Sequence, residues 1–319
     1  MGFIKRITKI REFMIFVIVL SVCIAMTFSS PYFLTTENLL ALLLSFSLTA
    51  IMAVGMTNLM VSGGFDMSVG SVLAFTGAAV ATLMHSGVPY ILAIIIGLGI
   101  GALIGLFNGI VVAKIGINPF VTTLASLSLF RGLTLIVTQG QNISQLSNSF
   151  TAIGQKDILG IQMPIWYALI LVIVGDIVLR KSRFFRQNYY IGGNEKAARL
   201  SGISVDKMKI LNYVLTGLLA GAAGIVMTAR LATASVTAGT GMELQVITAV
   251  IIGGASLQGG EGTVIGSFLG CLLMGLITNA LNLLGVDVYW QTFVTGATLL
   301  AAVLIDRLGK MRKEKRKSI

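Results

Sequence analysis

Charged side chains are scarce in this sequence. Asp, Glu, Lys and Arg make up 11% of its 319 residues, whereas apolar residues make up 55%. A soluble domain has about a quarter charged residues, so this chain lacks the charge needed to cover a soluble surface. Its mean hydropathy is +0.92, and its apolar residues occur in long runs. The composition excludes an ordinary soluble protein and predicts a polytopic membrane protein.

Residues that ligate metals or act as nucleophiles are also few. His85 is the single histidine and lies in a short polar turn, and both Cys23 and Cys271 lie inside apolar runs. We interpret the cysteines as buried free thiols rather than a disulfide or a metal site. The chain also lacks a G-x-x-x-x-G-K-[ST] phosphate loop. We therefore predict no metal, no cofactor and no catalytic residues in this chain, which argues against a membrane-embedded enzyme.

Ten apolar segments are candidates for spanning helices, which need about 20 apolar residues. They are 13–29, 39–62, 67–84, 90–113, 120–138, 165–179, 210–228, 244–257, 263–284 and 288–305. The sixth and eighth are short, so each is expected either to span the bilayer or to form a broken or re-entrant helix. The predicted fold class is all-α: a polytopic transmembrane helical bundle of about ten helices, forming a single domain over residues 1–319.

The positive charges are distributed unevenly, and this predicts the topology. If ten segments cross and the N-terminus is cytoplasmic, all Lys and Arg residues except Arg131, Lys156 and Arg230 fall on the cytoplasmic side. This pattern follows the positive-inside rule and puts both termini inside a prokaryotic cell, with the chain in its inner membrane. We therefore assign the net charge of +11 to contact with anionic membrane lipid and not to nucleic-acid binding.

Glycines recur every four residues in three segments. They are Gly97, Gly101, Gly105 and Gly109 in the fourth, Gly217 and Gly221 in the seventh, and Gly262, Gly266 and Gly270 in the ninth. Lipid tails are as apolar as leucine, so spanning helices associate through small residues that let their backbones approach. We expect a compact bundle.

The long loop predicted to be cytoplasmic, residues 181–209, contains a short amphipathic segment. Asn194 is a good helix N-cap, Glu195 follows at the positive end of the predicted helix, and Gly202 is a good C-cap. A helix of about two turns, about 10 Å long, is too polar to insert and too short to be stable alone. Residues that offer contacts are Ala197, Ala198, Leu200, Lys196 and Arg199. Something must therefore pack on it.

Three stretches resemble a known family. Residues 190–203 resemble the coupling helix of ABC-importer permeases: Glu195, Ala197, Ala198 and Gly202 are similar to their E-A-A…G loop, although Lys196 interrupts the tripeptide. Residues 62–71 (SGGFDMSVGS) and 253–263 (GGASLQGGEGT) resemble the ribose and simple-sugar permeases. Residues 238–243 and 282–285 add to this resemblance, which covers nearly the whole chain.

The resemblance implies a permease subunit that translocates a sugar, first of all a ribose-like pentose, by alternating access. It implies a second permease copy in a homodimer or heterodimer, cytoplasmic ABC ATPase subunits that bind ATP and Mg²⁺, and an external solute-binding protein. The ATPase would dock on Gly192, Gly193, Asn194, Glu195, Ala197, Ala198, Arg199, Leu200 and Gly202. The alternative solutes are a hexose, a nucleoside and the furanone signal autoinducer-2. The alternative from another class is a secondary transporter or channel that works alone.

Polar residues in the predicted spans are candidates for the translocation pathway. They are Asn58, Ser62, Asp66, Thr122, Ser126, Arg131, Asn279 and Asn282. The alternative for each is structural, with hydroxyls bonded to their own helix and amides joining helices. Arg131 is expected to line the path, to pair with Asp176 or to reach a polar cavity, and Asp66 to act as a pathway acid or an N-cap. Arg230 and Glu243 are expected to pair with each other or to contact the binding protein.

Overall fold

The computed structural model describes residues 11–287 and 289–317, and this part of the chain is mostly helical. Its elements in chain order are α1 (Arg11–Ser29), α2 (Thr36–Val61), α3 (Val69–His85), α4 (Tyr90–Ile110) with a π-helical turn (Val111–Ile115), α5 (Pro119–Thr138), α6 (Asn148–Gln155), β1 (Asp157–Ile158), β2 (Ile161–Gln162), α7 (Met163–Lys181), α8 (Gln187–Gly193), α9 (Glu195–Leu200), α10 (Val205–Leu231), α11 (Met242–Ile252), α12 (Val264–Leu283) and α13 (Tyr289–Lys317). The two strands form a small antiparallel hairpin. The ten apolar segments correspond one to one to the helices other than α6, α8 and α9, so the predicted helical bundle is confirmed.

The helices differ in whether they are long enough to cross a bilayer. Seven are long and apolar enough by length and composition, and three apolar helices are shorter: α3, α11 and Tyr289–Leu304 of α13. The sixth segment is the continuous 19-residue helix α7. The eighth, α11, has only 11 residues, about 16 Å and so about half the hydrocarbon thickness. A broken helix is therefore found at the eighth segment and not at the sixth.

Contacts between distant segments define two ends of the bundle. At the end that we call the α9 end, Arg180 of α7 lies 2.6 Å from Glu12 of α1, and Lys114 lies 3.9 Å from Asp206 of α10. At the opposite end, the α6 end, α6 packs on the last turn of α10. The segments that the charge rule assigns to the cytoplasm thus gather at the α9 end. That this end faces the cytoplasm stays a prediction, and basic residues 5, 6 and 9 lie outside the described residues.

The buried centre of the bundle is built around α2 and α3. Every residue of α2 from Phe46 to Val61 is buried, and α10 packs along α2, α3 and α4. Outer helices expose apolar side chains such as Leu103 and Ile136, as expected where lipid surrounds them. Cys271 is a buried free thiol, whereas Cys23 is free but only half-buried, so the prediction of burial holds for one of the two.

The glycine faces are contact surfaces, as expected. A Cβ on Gly101 of α4 would lie 2.6 Å from the carbonyl oxygen of Gly217 on α10, and one on Gly109 would lie 2.9 Å from the Cα of Ile210. Gly270 of α12 likewise faces the backbone of α11, and Gly266 faces the backbone of Gly253, the residue that follows α11. Because these helices approach backbone to backbone, a larger side chain would force them apart.

Candidate coupling and translocation site

The segment that resembles a coupling helix begins and ends as its sequence predicts. The side-chain oxygen of Asn194 accepts a hydrogen bond from the backbone nitrogen of Ala197 at 3.0 Å, which is N-cap geometry. Gly202 follows the helix with a φ of 81°, the left-handed conformation that favours glycine. The helix between them, α9, has six residues.

Ion pairs hold α9 on the start of α10. Glu195 lies 2.6 Å from Lys209 and 3.1 Å from Arg199, and Arg199 also lies 2.5 Å from Asp206. Lys209 and then Arg199 lower the pKa of Glu195, because each base stabilises the ionised carboxylate. The pairs are largely solvated, so each contributes little alone and the network is what positions α9.

One face of α9 packs on the bundle and the other is free. Ala198 is buried with Ile191, Val205 and Met208 in a small apolar cluster. Leu200 is 91% exposed, and a Cβ on Gly193 would meet nothing within 4 Å. Since a six-residue helix is not stable alone, Ala198 docks α9 on its own chain, while the surface around Gly193 and Leu200 is free to contact a partner.

Gly192, at the end of α8, lies where three segments cross. A Cβ there would lie 2.9 Å from the carbonyl carbon of Gly259 and closer still to the nitrogen of Gly260. That nitrogen donates to the carbonyl oxygen of Val61 at 2.8 Å. A Cβ on Gly63 would in turn lie 4.0 Å from the Cα of Gly192. The coupling-like segment therefore contacts both stretches that resemble sugar permeases, 62–71 and 253–263, through its backbone.

Buried amides join α8, α10 and the end of α2 beside this crossing. The amide of Asn212 donates to Asn188 at 2.8 Å and to the Ser62 hydroxyl at 3.1 Å. Both asparagines are fully buried. Neither asparagine was identified from the sequence. The signal that could have identified Asn212 is its position at the start of the seventh segment, which has glycines along one face.

Asp66 lies in the loop between α2 and α3 and is 1% exposed. Its carboxylate accepts hydrogen bonds from the nitrogen and the hydroxyl of Ser68, at 2.7 and 2.6 Å. The amide of Asn108 donates to the Ser68 hydroxyl at 3.0 Å, and the Ser126 hydroxyl donates to Asn108. The N-cap residue of α3 is Ser68 and not Asp66, which lies two residues earlier. The Asp66 carboxylate nevertheless accepts a hydrogen bond from the backbone nitrogen of this N-cap residue.

Arg131, near the middle of α5, holds the non-helical segment 235–241. Its Nη1 atom donates to the carbonyl oxygens of Val236 at 3.2 Å and Ala238 at 2.7 Å. Just before this segment, Ala234 pairs with Ile143 at the α6 end. The chain therefore enters the bundle from the α6 end as non-helical backbone, and α11 begins about half-way through.

The predicted acidic partners of two arginines are not the observed ones. Asp176 lies 3.0 Å from Arg180 on its own helix and not beside Arg131. Glu243, in the first turn of α11, has a buried carboxylate oxygen without a hydrogen-bond partner among the described residues, and Arg131 attracts it electrostatically. No ion pair joins Glu243 to Arg230 in this part of the chain, so that alternative is wrong.

The other pathway candidates lie in separate parts of the bundle. At the α6 end, Asn279 exchanges hydrogen bonds with Asn38 at 2.7 and 3.3 Å, and Asn282 accepts one from α13. Asn58 donates to its own helix at 2.9 Å, and the Thr122 hydroxyl is buried without a partner among the described residues. The structure does not gather them along one wall, and their place in the pathway stays a prediction.

Comparison with known proteins places this geometry in a family. The family described as branched-chain amino acid transport system / permease component matches residues 38–303. The chain is 43% identical over 281 residues to the ribose import permease protein RbsC of Escherichia coli strain K12, covering 87% of this chain and 88% of the relative. It is 41% identical over 308 residues to RbsC of Bacillus subtilis strain 168, covering 96% and 94%.

A third relative is named for another sugar. The chain is 36% identical over 294 residues to the D-allose transport system permease protein AlsC of Escherichia coli strain K12, covering 92% and 90% of the two chains. No solved structure matches the chain significantly. The resemblance drawn from the sequence is confirmed, and the chain is a transport subunit of a bacterial inner membrane rather than an enzyme. It belongs to the family of branched-chain amino acid transport system permease components.

Proposed function

We propose that this chain is the membrane-spanning subunit of an ATP-binding-cassette importer for a sugar, with ribose as the first candidate. The observation that carries the proposal is the identity of 43% and 41% to two ribose import permeases over most of both chains. D-Allose is the next candidate, because the permease named for it is 36% identical.

The partners are an ATPase subunit, which binds ATP and Mg²⁺, an external solute-binding protein and a second permease copy, identical or homologous. The ATPase docks at the α9 end, on residues 192–202. Support comes from the division of α9 into a docked face, with Ala198 3% exposed, and a free face, with Leu200 91% exposed. A short helix held by its own chain on one side can transmit a force applied on the other.

Movement of the ATPase is transmitted to the spanning helices through two contacts. Ion pairs of Glu195 and Arg199 join α9 to α10, and Gly192 joins α8 to the loop 253–263 that follows α11. Displacement of residues 192–202 therefore moves both α10 and the short helix α11. Alternating access follows when the second copy makes the same movement.

The binding protein docks at the α6 end. Arg230 lies in the last turn of α10 at this end, whereas Glu243 starts the buried half-length helix α11. Arg230 is therefore the better candidate for contact with the binding protein. Glu243 joins Arg131 among the candidates for the translocation pathway.

Transport by the reconstituted importer tests the function. The chain, its ATPase and its binding protein are placed in liposomes, and uptake of labelled D-ribose is measured with and without ATP. We expect uptake only when all three proteins and ATP are present, with D-allose, L-arabinose, a nucleoside and autoinducer-2 compared as competitors. Ribose flux from this chain alone would instead support a secondary transporter or channel.

A further inference from the structure

A cavity of about 220 Å³ lies between α2, α11 and α12. The polar side chains in its wall are Ser45 and Thr49 of α2, Gln245 of α11 and Thr278 of α12. Residues four apart share a helix face, so Ser45 and Thr49 point to the same side of α2.

The depth of the cavity follows from the helices that form it. Thr49 lies in the middle of the 26-residue helix α2, and Gln245 lies in the first turn of α11, which begins about half-way through the bundle. Gly275 of α12 permits the approach of α2, because a Cβ there would lie 3.1 Å from a ring carbon of Phe46. The cavity thus lies at about mid-depth along the bundle, a level that a transported solute must pass.

Three polar side chains in its wall have no hydrogen-bond partner within the described chain: Thr49, Gln245 and Thr278. This is unusual among the hydroxyls of these helices. Thr57 of α2 and Thr248 of α11, for example, each donate to the carbonyl four residues earlier on their own helix at 2.6 Å. An unsatisfied polar group inside a membrane protein costs free energy unless water or a solute supplies the partner.

The chemistry of the wall selects the kind of solute. Hydroxyls and a carboxamide both donate and accept hydrogen bonds, which suits a compound with several hydroxyl groups. The described residues that line the cavity include no Asp, Glu, Lys or Arg. An amino acid carries two opposite charges that would need partners on desolvation, so the wall suits a neutral polyol better than an amino acid.

The volume is also suitable. Water takes about 30 Å³ per molecule in the liquid, so the cavity corresponds to roughly seven waters, comparable to a monosaccharide of about ten non-hydrogen atoms. The wall further includes Phe46, an apolar surface for the C–H face of a sugar ring.

We propose that this cavity binds the sugar transiently, midway through its passage, with the hydroxyls of Thr49 and Thr278 and the amide of Gln245 as hydrogen-bond partners. The assignment rests on the proposed function. Three neutral hydrogen bonds contribute modestly in total, because each replaces one to water. The site therefore offsets part of the desolvation of the sugar and still releases it.

Two sets of substitutions test this site in the complete importer: one removes the hydroxyls but keeps the side-chain shape, and the other keeps the hydroxyls. The double variant Thr49→Val/Thr278→Val removes both hydroxyls, and Thr49→Ser/Thr278→Ser keeps them. We expect the valine pair to lower D-ribose uptake per ATP hydrolysed about tenfold, from two lost hydrogen bonds, and the serine pair to stay close to wild type. Thr134→Val is the matched control, since its hydroxyl bonds only its own helix on α5.

Each outcome decides a different question. ATPase activity that is stimulated by the binding protein shows that a variant has assembled. If the valine pair does not assemble, Gln245→Met, on a different helix, is used in its place. Wild-type uptake by an assembled valine pair, or an equal loss in the serine pair, overturns the cavity assignment. If the wild type takes up no sugar at all, the proposed function itself has failed.

Discussion

Gly192 lies against the backbone of Gly260 so closely that no side chain fits between them. Its neighbour Gly193 faces open space, with nothing within 4 Å of a Cβ position. Two adjacent glycines thus have different environments: one joins α8 to the loop after α11, and the other belongs to the free surface. Substituting them one at a time separates contacts within the chain from contacts with a partner.

Gly192→Ala should disturb the crossing of α8, α2 and loop 253–263. Overpacking of this kind costs about 1–3 kcal/mol, so we expect a lower melting temperature in detergent and less uptake per ATP hydrolysed. Gly193→Ala is the matched control for stability and should leave the melting temperature unchanged, because a Cβ there meets nothing within 4 Å. A loss of uptake in Gly193→Ala would instead report on the contact with the ATPase. Equal melting temperatures for the two variants would show that the backbone contact at Gly192 is not tight.

Leu200→Asp should weaken ATPase docking without unfolding the chain. Leu200 is 91% exposed, so its replacement removes almost no packing within this chain. We expect unchanged thermal stability of the isolated permease and loss of the ATPase on co-purification. Ala198→Asp is the contrasting variant, because Ala198 is buried and a buried charge would release α9 itself. Normal ATPase binding by Leu200→Asp would exclude Leu200 from the docking surface.

Arg131→Met should release segment 235–241. The substitution removes the donor to the carbonyls of Val236 and Ala238 and the positive charge that attracts Glu243. A hydrogen bond from a charged group contributes about 1.5–3 kcal/mol, so a marked loss of thermal stability and of uptake is expected. Adding Glu243→Gln should recover part of the stability by removing the uncompensated carboxylate, and a double-mutant cycle measures this coupling. Additive losses would mean that the two charges do not interact.

The Asn38–Asn279 pair distinguishes a structural amide from a pathway amide. Polar pairs between membrane helices contribute about 0.6 kcal/mol on average and about 1.7 kcal/mol at most. We expect a coupling energy in that range from single and double alanine variants, measured by thermal unfolding. If Asn279 also lines the pathway, Asn279→Ala should lower sugar uptake more than Asn38→Ala does. Equal uptake by both variants would assign the pair to helix packing alone.

The attachment of α9 should depend on pH in the acidic range. Lys209 and Arg199 depress the pKa of Glu195 in the folded chain, so ionised Glu195 stabilises the folded state. This contribution is complete above the unfolded pKa of about 4.3 and is lost as the pH falls through the lower, folded pKa. Hydrogen exchange of the α9 amides should therefore accelerate, relative to the intrinsic rate, below about pH 4. Glu195→Gln should show the faster exchange at every pH. If the exchange rate of the α9 amides in the wild type, relative to the intrinsic rate, does not change with pH, the assignment is wrong.

The helical elements were largely predictable because their signals are local. Ten apolar runs correspond to ten helices, since a bilayer needs about 20 apolar residues and leaves no backbone group unpaired. The α9 helix was predictable from Asn194 and Gly202, because a cap acts within three residues of its own position. Short length correctly indicated an irregular helix at the eighth segment, but the same signal was wrong for the sixth, which forms a continuous helix.

The partners of buried polar residues were not predictable, because a side chain in a bundle bonds whichever helix lies beside it. Arg131 was expected to line the path, to pair with Asp176 or to reach a polar cavity. Its observed hydrogen-bond partners are carbonyls more than 100 residues away in the sequence, and Asp176 is not among them. The seam of Asn188, Asn212 and Ser62 likewise exists only because α8, α10 and α2 meet.

By itself, the sequence determined that this chain is a polytopic membrane protein, where its apolar helices lie, and to which family it is similar, because hydropathy and short motifs are properties of local stretches. Only the tertiary structure decided that Gly192 touches Gly260, that Arg131 holds the chain before α11, and that Thr49, Gln245 and Thr278 face one cavity. These relationships depend on how helices pack against one another, and packing is set by the shapes of facing surfaces that are far apart along the chain.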